Sequence, residues 1–254
     1  YWMGESGGFF VYDGTVKSLP CAVEDFVFTT KNGNNLGVNY SAGEAVYVGL
    51  NHLYEEICWY YPKASSDFND RYVCYNYQDG TWVTGSLSRT TWVDANLYDN
   101  PYATEFNSTG LPTFPTVQGV TNINGSTKYF EHEVGVNEVD SAGNKTAIPA
   151  FIESGDFSLN IEGNAQVFMS MRRFVPDFKT LEGNATITIL LRDFPSDTEV
   201  SSPLGPFTVT SSTQKVDTRA RARFASLKIA NTTTDENWRF GTFRADVQPD
   251  GMRG

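Results

Sequence analysis

The chain has little of what most catalytic centres are built from. Its 254 residues include two histidines, three cysteines and four methionines. His52 and His132 stand far apart in the chain, so neither has a near neighbour with which to hold a metal. In Glu131-His132-Glu133 an extended backbone turns successive side chains to opposite faces, which prevents chelation by all three. Both histidines are expected at the surface or at an interface. The cysteines are odd in number and show no Cys-x-x-Cys spacing, so neither a zinc site nor a disulfide framework is indicated. Cys58 and Cys74 flank a hairpin and can face each other as a bridge, but the favoured reading makes them buried free thiols. That reading places assembly in a reducing cytoplasm. Gly-x-Ser-x-Gly, Gly-x-Gly-x-x-Gly and phosphate-cradling Gly-Lys loops are all missing, which leaves nucleotide chemistry without support. No run of 18 apolar residues occurs, so no membrane span is expected. A charged-then-apolar leader is absent as well, and Tyr1 opens the chain inside what reads as a strand. The sequence is therefore expected to be part of a longer chain.

Positive charge is scarce. Lys and Arg total 19 against 30 Asp and Glu, for a net charge of −11. The deficit is uneven: residues 1 to 164 carry 7 basic and 20 acidic side chains, residues 165 to 254 carry 12 and 10. Gripping nucleic acid by phosphate neutralisation needs clustered Lys and Arg, which the first part lacks. Such a chain can still enclose DNA without holding it, although on composition alone plain solubility is the preferred reading of the charge.

What is plentiful is aromatic and turn-forming residues: 18 Phe, 13 Tyr, 5 Trp and 22 Gly. With abundant Asn, Thr and Ser and no long Ala/Leu/Glu/Lys pattern, this composition predicts an all-β fold. Tyr1 to Met3 and Phe9 to Tyr12 read as short strands, followed by an Asp13-Gly14 turn and a third segment. The grammar repeats. Ile57 to Tyr61 and Arg71 to Tyr77 are strands, Asp79-Gly80 turns the chain, and Trp82 to Leu87 returns. Repeated aromatic meanders predict propeller blades, so residues 1–95 are read as a partial β-propeller. Glu44 to Glu55 is the one plausible helical stretch, weakened by Gly49 and its β-branched residues. Residues 96–127, rich in Asn, Pro, Thr and Gly, read as a loop or linker. Residues 128–254 are read as an antiparallel β-sandwich or barrel-like region, with strands over 128–136, 146–152, 166–175, 185–193, 207–211, 217–230 and 238–247.

Asp79-Gly80-Thr81-Trp82 resembles part of the Asp-box turn of sialidase propellers, where that box is structural. No carboxylate pair is singled out for glycoside chemistry, because so many acidic residues would let one be found anywhere. No catalytic, cofactor-binding or metal-binding residue is assigned. Asn-x-Ser/Thr triplets at Asn39, Asn107, Asn124, Asn144, Asn184 and Asn231 are read as coincidence in a chain rich in Asn and Thr. One pattern stands out. Arg219, Arg221 and Arg223 alternate with Ala220 and Ala222, so a strand would project all three guanidinium groups from one face. Subunit pairing against the acidic first part, a clamp for a substrate carboxylate and a solvated face are the readings open for it.

Several segments, in this order, resemble one family. They are Trp59-Tyr60-Tyr61-Pro62, Asn69 to Tyr77 and Trp82 to Trp92, then Glu131 to Val136, Ala150 to Phe157, Arg172 to Asp177 and the closing Trp238 to Arg253. Together they resemble the packaged-DNA stabilisation, or tail nozzle, proteins of short-tailed bacteriophages. The resemblance implies a β-propeller-containing virion subunit, about six copies of which form a ring at the distal end of a short tail. It implies the tail adaptor and portal complex as partners, with tail fibres or spikes as further candidates, and DNA passing through without sequence-specific binding. It carries no catalytic residue with it. A glycan-active propeller enzyme, of depolymerase or sialidase-like type, and a glycan-binding module using exposed Trp and Tyr remain the alternatives.

Overall fold

The computed structural model describes residues 1–30, 35–96, 98–105, 128–159, 167–194 and 203–252. The fold is all-β, built of several antiparallel sheets, none of which closes on itself among the described residues. It divides into two compact units, Tyr1–Val134 and Gly135–Gly254.

The first unit begins with the meander β1 (Trp2–Met3), β2 (Phe9–Tyr12) and β3 (Val16–Leu19). A short helix α1 (Glu24–Phe28) follows, with Glu24 and Asp25 placed where the N-terminal end of a helix favours negative charge. Next come β4 (Tyr47–Asn51), β5 (Glu56–Tyr61), β6 (Arg71–Asn76) and β7 (Thr81–Gly85), paired in that order as a four-stranded sheet. A third meander contains β8 (Thr91–Val93), β9 (Tyr102–Glu105) and β10 (Lys128–Glu131).

Period-two alternation explains how these sheets stack. Phe9 points inward and is fully buried, its ring 4.9 Å from Trp59, 4.6 Å from Trp82 and 5.2 Å from Phe28. One face of the four-stranded sheet, Ile57, Trp59, Tyr61 and Val73, thus shares a core with Phe9 and Val27. The opposite face, Cys58, Tyr60 and Cys74, packs against Trp92 of β8. Burial on both faces is why β5 reads as a continuous apolar run rather than an alternating one. Gly49 makes the second contact possible: a Cβ there would sit 2.6 Å from Cγ of Trp92.

The second unit contains β11 (Asn137–Val139), β12 (Lys145–Ala147), β13 (Phe151–Glu153), β14 (Val167–Val175), β15 (Phe178–Glu182), β16 (Asn184–Arg192) and β17 (Leu204–Thr210). It ends with β18 (Val216–Ala222), β19 (Phe224–Ala230), β20 (Asn237–Phe240) and β21 (Arg244–Met252). Two larger sheets, ordered β13-β19-β16-β17 and β18-β14-β21, bury their apolar faces in one core. Ile187, Ile189, Val209 and Ile229 come from the first sheet, Met171, Phe174, Ala220 and Ala222 from the second. A hairpin, β11-β12, and a two-stranded sheet of distant segments, β15-β20, complete the unit.

Several expectations are corrected. Glu44 to Glu55 is not a helix: a 3-10 turn, Tyr40–Ala45, leads straight into β4. Val46, Tyr47 and Val48 favour extended backbone, and pairing with β5 gives partners to the backbone groups on the inner side of β4, an edge strand. Within 96–127, read as a linker, Tyr102–Glu105 forms β9 and pairs with both β8 and β10, so the division between units falls after Val134. Residues 97 and 106–127, with Asn107 and Asn124, lie outside the described residues. The expected strand over 217–230 is two strands, broken at Arg223, which belong to different sheets. Cys58 and Cys74 are not free thiols but a disulfide, since β5 and β6 place them directly opposite each other. Cys21 is free.

Candidate functional site: an arginine-lined groove

β18 alternates as its sequence requires. Ala220 and Ala222 are buried against the core, while Arg219 and Arg221 stand exposed on the other face. Arg221 is fixed in two ways. Its Nε donates to Asp250 Oδ2 at 2.6 Å and its Nη2 to the Asp250 carbonyl at 3.1 Å, and its guanidinium lies 4.1 Å from the ring centre of Phe168. Arg223 leans over the same ring at 4.8 Å and over Phe194 at 5.2 Å. Phe168 belongs to the outward face yet is only 4 % exposed, because these two cations cover it. Such stacking contributes about 0.5–2 kcal/mol per contact, more as water is excluded.

Beside this stack runs a groove of about 470 Å3, lined by Ser170 and Arg172 of β14, Thr218, Arg219, Ala220 and Arg221 of β18, and Asp250 of β21. The backbone shapes it. Register slips between Met171 and Arg173, a bulge that turns both Arg172 and Arg173 outward. Thr218 Oγ1 donates to the Met171 carbonyl at 2.8 Å beneath the bulge. Arg173 pairs with Asp217 at 3.4 Å. Arg172 and Arg219 have no hydrogen bond or ion pair among the described residues, so three guanidinium groups share the groove with a single carboxylate, Asp250.

The structure therefore brings Arg219 and Arg221 together in one groove and sets Arg223 apart, half-buried over two aromatic rings. Sequence reading missed Arg172. Its partner strand lies almost fifty residues later, and only the Arg172-Arg173 doublet hints at an outward bulge.

The histidines are not a pair. His52 Nδ1 meets Asp94 Oδ2 at 2.9 Å on the surface. His132, expected at a surface or interface, is instead half-buried, 4.7 Å from the Trp92 ring, and accepts a 2.8 Å hydrogen bond at Nε2 from Nε of the buried Arg89. Desolvation, with Arg89 adding repulsion, pulls its pKa down to about 4. Glu56 and Glu133 are both held above the usual carboxylate range, mainly by desolvation, and Glu133 accepts from Asn51 Nδ2 at 2.9 Å. Glu56 also approaches Cys58 and Cys74, but their bridged sulfurs offer no thiolate to a metal.

No protein-family model matches the sequence, and no curated protein matches it. Fold and groove together define the class: an all-β protein of open, stacked antiparallel sheets that presents a cationic groove on an acidic chain.

Proposed function

We propose that this chain is a virion structural protein, a tail nozzle subunit that retains packaged DNA and forms its exit channel at the distal end of a short phage tail. The observation that carries the reading is the order of sheets in the first unit. A four-stranded meander is covered on one face by the meander before it and on the other by the meander after it. Successive propeller blades follow one another in this way, and we read β1-β3, β4-β7 and β8-β10 as blades of one propeller. The Arg71 to Leu87 hairpin, whose residues carry much of the resemblance to nozzle proteins, is half of the central blade.

Charge supports the same role. The first unit holds 6 basic and 15 acidic residues, the second 13 and 15. An acidic wall lets a polyanion pass where a basic one would hold its phosphates. In this proposal the subunit joins a homo-oligomeric, six-fold ring beneath adaptor and portal. The Arg219, Arg221 and Arg223 face serves as its subunit interface. Electron microscopy of the full-length protein with its tail partners tests this. A cyclic oligomer at the tail tip is expected, and a strictly monomeric protein that never joins a tail would overturn it.

One feature favours the glycan-binding alternative. Tyr102 and Tyr129 stack at 5.3 Å, Tyr98 meets Tyr102 edge-on at 5.1 Å, and Glu131 beside them accepts from Asn100 at 3.0 Å. Exposed rings with polar groups at their rim suit the faces and hydroxyls of a sugar. Saturable binding of host surface oligosaccharide, lost in Tyr129→Ala, would favour this reading.

A further inference from the structure

We propose that the groove over β14 and β18 binds paired carboxylates from an acidic segment of a second copy of this chain, with Arg172 and Arg219 as the ligating groups. The inference rests on the assembly reading above for the identity of the occupant, and on the groove's own chemistry for the ligand class.

Arg172 and Arg219 are exposed, carried on adjacent strands of one sheet and free of partners among the described residues. Guanidinium groups donate in a fixed fork that matches a carboxylate in two parallel hydrogen bonds. Asp250 already occupies Arg221, its carboxylate accepting from Nε and its main-chain carbonyl from Nη2. Arg221 is thereby a fixed wall rather than a free ligand, and Ser170, directly opposite it in register, adds a hydroxyl. Arg223 is a positioning residue, because its stacking on Phe168 packs the floor beside Arg221.

The ligand is a short acidic segment rather than nucleic acid. The groove offers two free cations and one carboxylate, within a unit of 13 basic and 15 acidic residues. A continuous phosphate backbone would outrun two free cations, in a unit that carries more acidic than basic residues. Two neighbouring carboxylates fit inside it. The most acidic surface available in an assembly of identical chains is the first unit of another copy, with 15 acidic and 6 basic residues.

Two readouts on the full chain test this. In calorimetric titration at low salt, an eight-residue peptide of alternating Glu and Ser should bind saturably, and a Gln-Ser peptide should not. Arg172→Gln with Arg219→Gln should weaken binding at least tenfold, Arg172→Lys with Arg219→Lys should recover part of it, and Lys179→Gln, which removes a charge from another strand, should change nothing. Tighter binding of a single-stranded oligonucleotide than of the Glu-Ser peptide would overturn the ligand class. The second readout is ring formation, seen by electron microscopy. Rings that form unchanged in the Arg172→Gln/Arg219→Gln variant would overturn the groove assignment and leave the nozzle reading standing. Wild-type protein that binds the peptide through these arginines yet forms no ring would overturn the second copy as occupant together with the nozzle reading, and keep the carboxylate site.

Discussion

His132 carries the clearest pH signature in the chain. Arg89 occupies its Nε2 as a donor, so the folded protein requires a neutral imidazole, and the pKa falls to about 4. In the unfolded chain it returns to about 6.5. Between these values the unfolded state binds more protons. The His132 contribution is therefore complete above about pH 6.5 and lost as pH falls through 4, a term on the order of 3 kcal/mol before solvent screening reduces it. Glu56 and Glu133, raised in the folded state, act in the opposite sense: their contribution is full at low pH and fades as pH rises. The comparison that isolates the histidine is with His132→Gln, which keeps an acceptor for Arg89. Denaturant melts from pH 4 to 8 should show the wild-type advantage growing with pH up to about 6.5 and then levelling, whereas a constant difference would contradict it. A second residue-scale expectation concerns thiols. Unfolded without reductant, the protein should titrate one thiol, Cys21, and three after reduction. Replacing Cys58 and Cys74 by Ala should cost about 3 kcal/mol, as expected for a bridge closing a loop of about 15 residues.

At the scale of elements, Gly49 is the point where β4 admits the Trp92 ring. Gly49→Ala would drive a methyl into Cβ and Cγ of Trp92, the root of the side chain rather than its mobile end. Overpacking of this kind costs about 1–3 kcal/mol, so a clear drop in melting temperature is expected and an unchanged one would mean that β8 yields freely. This glycine also shows where sequence reading fell short. In the window Glu44 to Glu55 it read as a helix flaw, because the ring that needs the space arrives from more than forty residues away. The Arg71 to Leu87 hairpin was legible, since Asp79-Gly80 and the aromatic alternation are local, and the structure pairs Asn76 with Thr81 across the turn. The break at Arg223 was not. Arg-Ala alternation runs up to it and apolar residues run on from it, and only packing into two separate sheets requires a bend there. For the groove, Arg219 and Arg221 could be placed on one face from alternation alone, whereas Arg172 enters through a bulge that leaves no periodic trace.

On the scale of the whole molecule, the two units have separate cores, one centred on Phe9, Trp59 and Val73, the other on Ile187, Ile189 and Phe174. Each buries enough apolar surface to unfold as a unit, which predicts two transitions in calorimetry rather than one. Tryptophan fluorescence can assign them, because Trp2, Trp59, Trp82 and Trp92 lie in the first unit and Trp238 alone in the second. Phe9→Ala removes a fully buried ring that touches two of those tryptophans, at a cost of about 3–5 kcal/mol. It should lower the transition that carries most of the fluorescence change and leave the other in place. Ile187→Ala, truncating a fully buried side chain of β16 at a cost of about 2–5 kcal/mol, should do the reverse. If either substitution moved both transitions by the same amount, the units would be folding as one cooperative body. Loss of ring assembly in an arginine-groove variant could then no longer be separated from a change in the first unit's stability, and the groove would have to be tested by peptide binding alone.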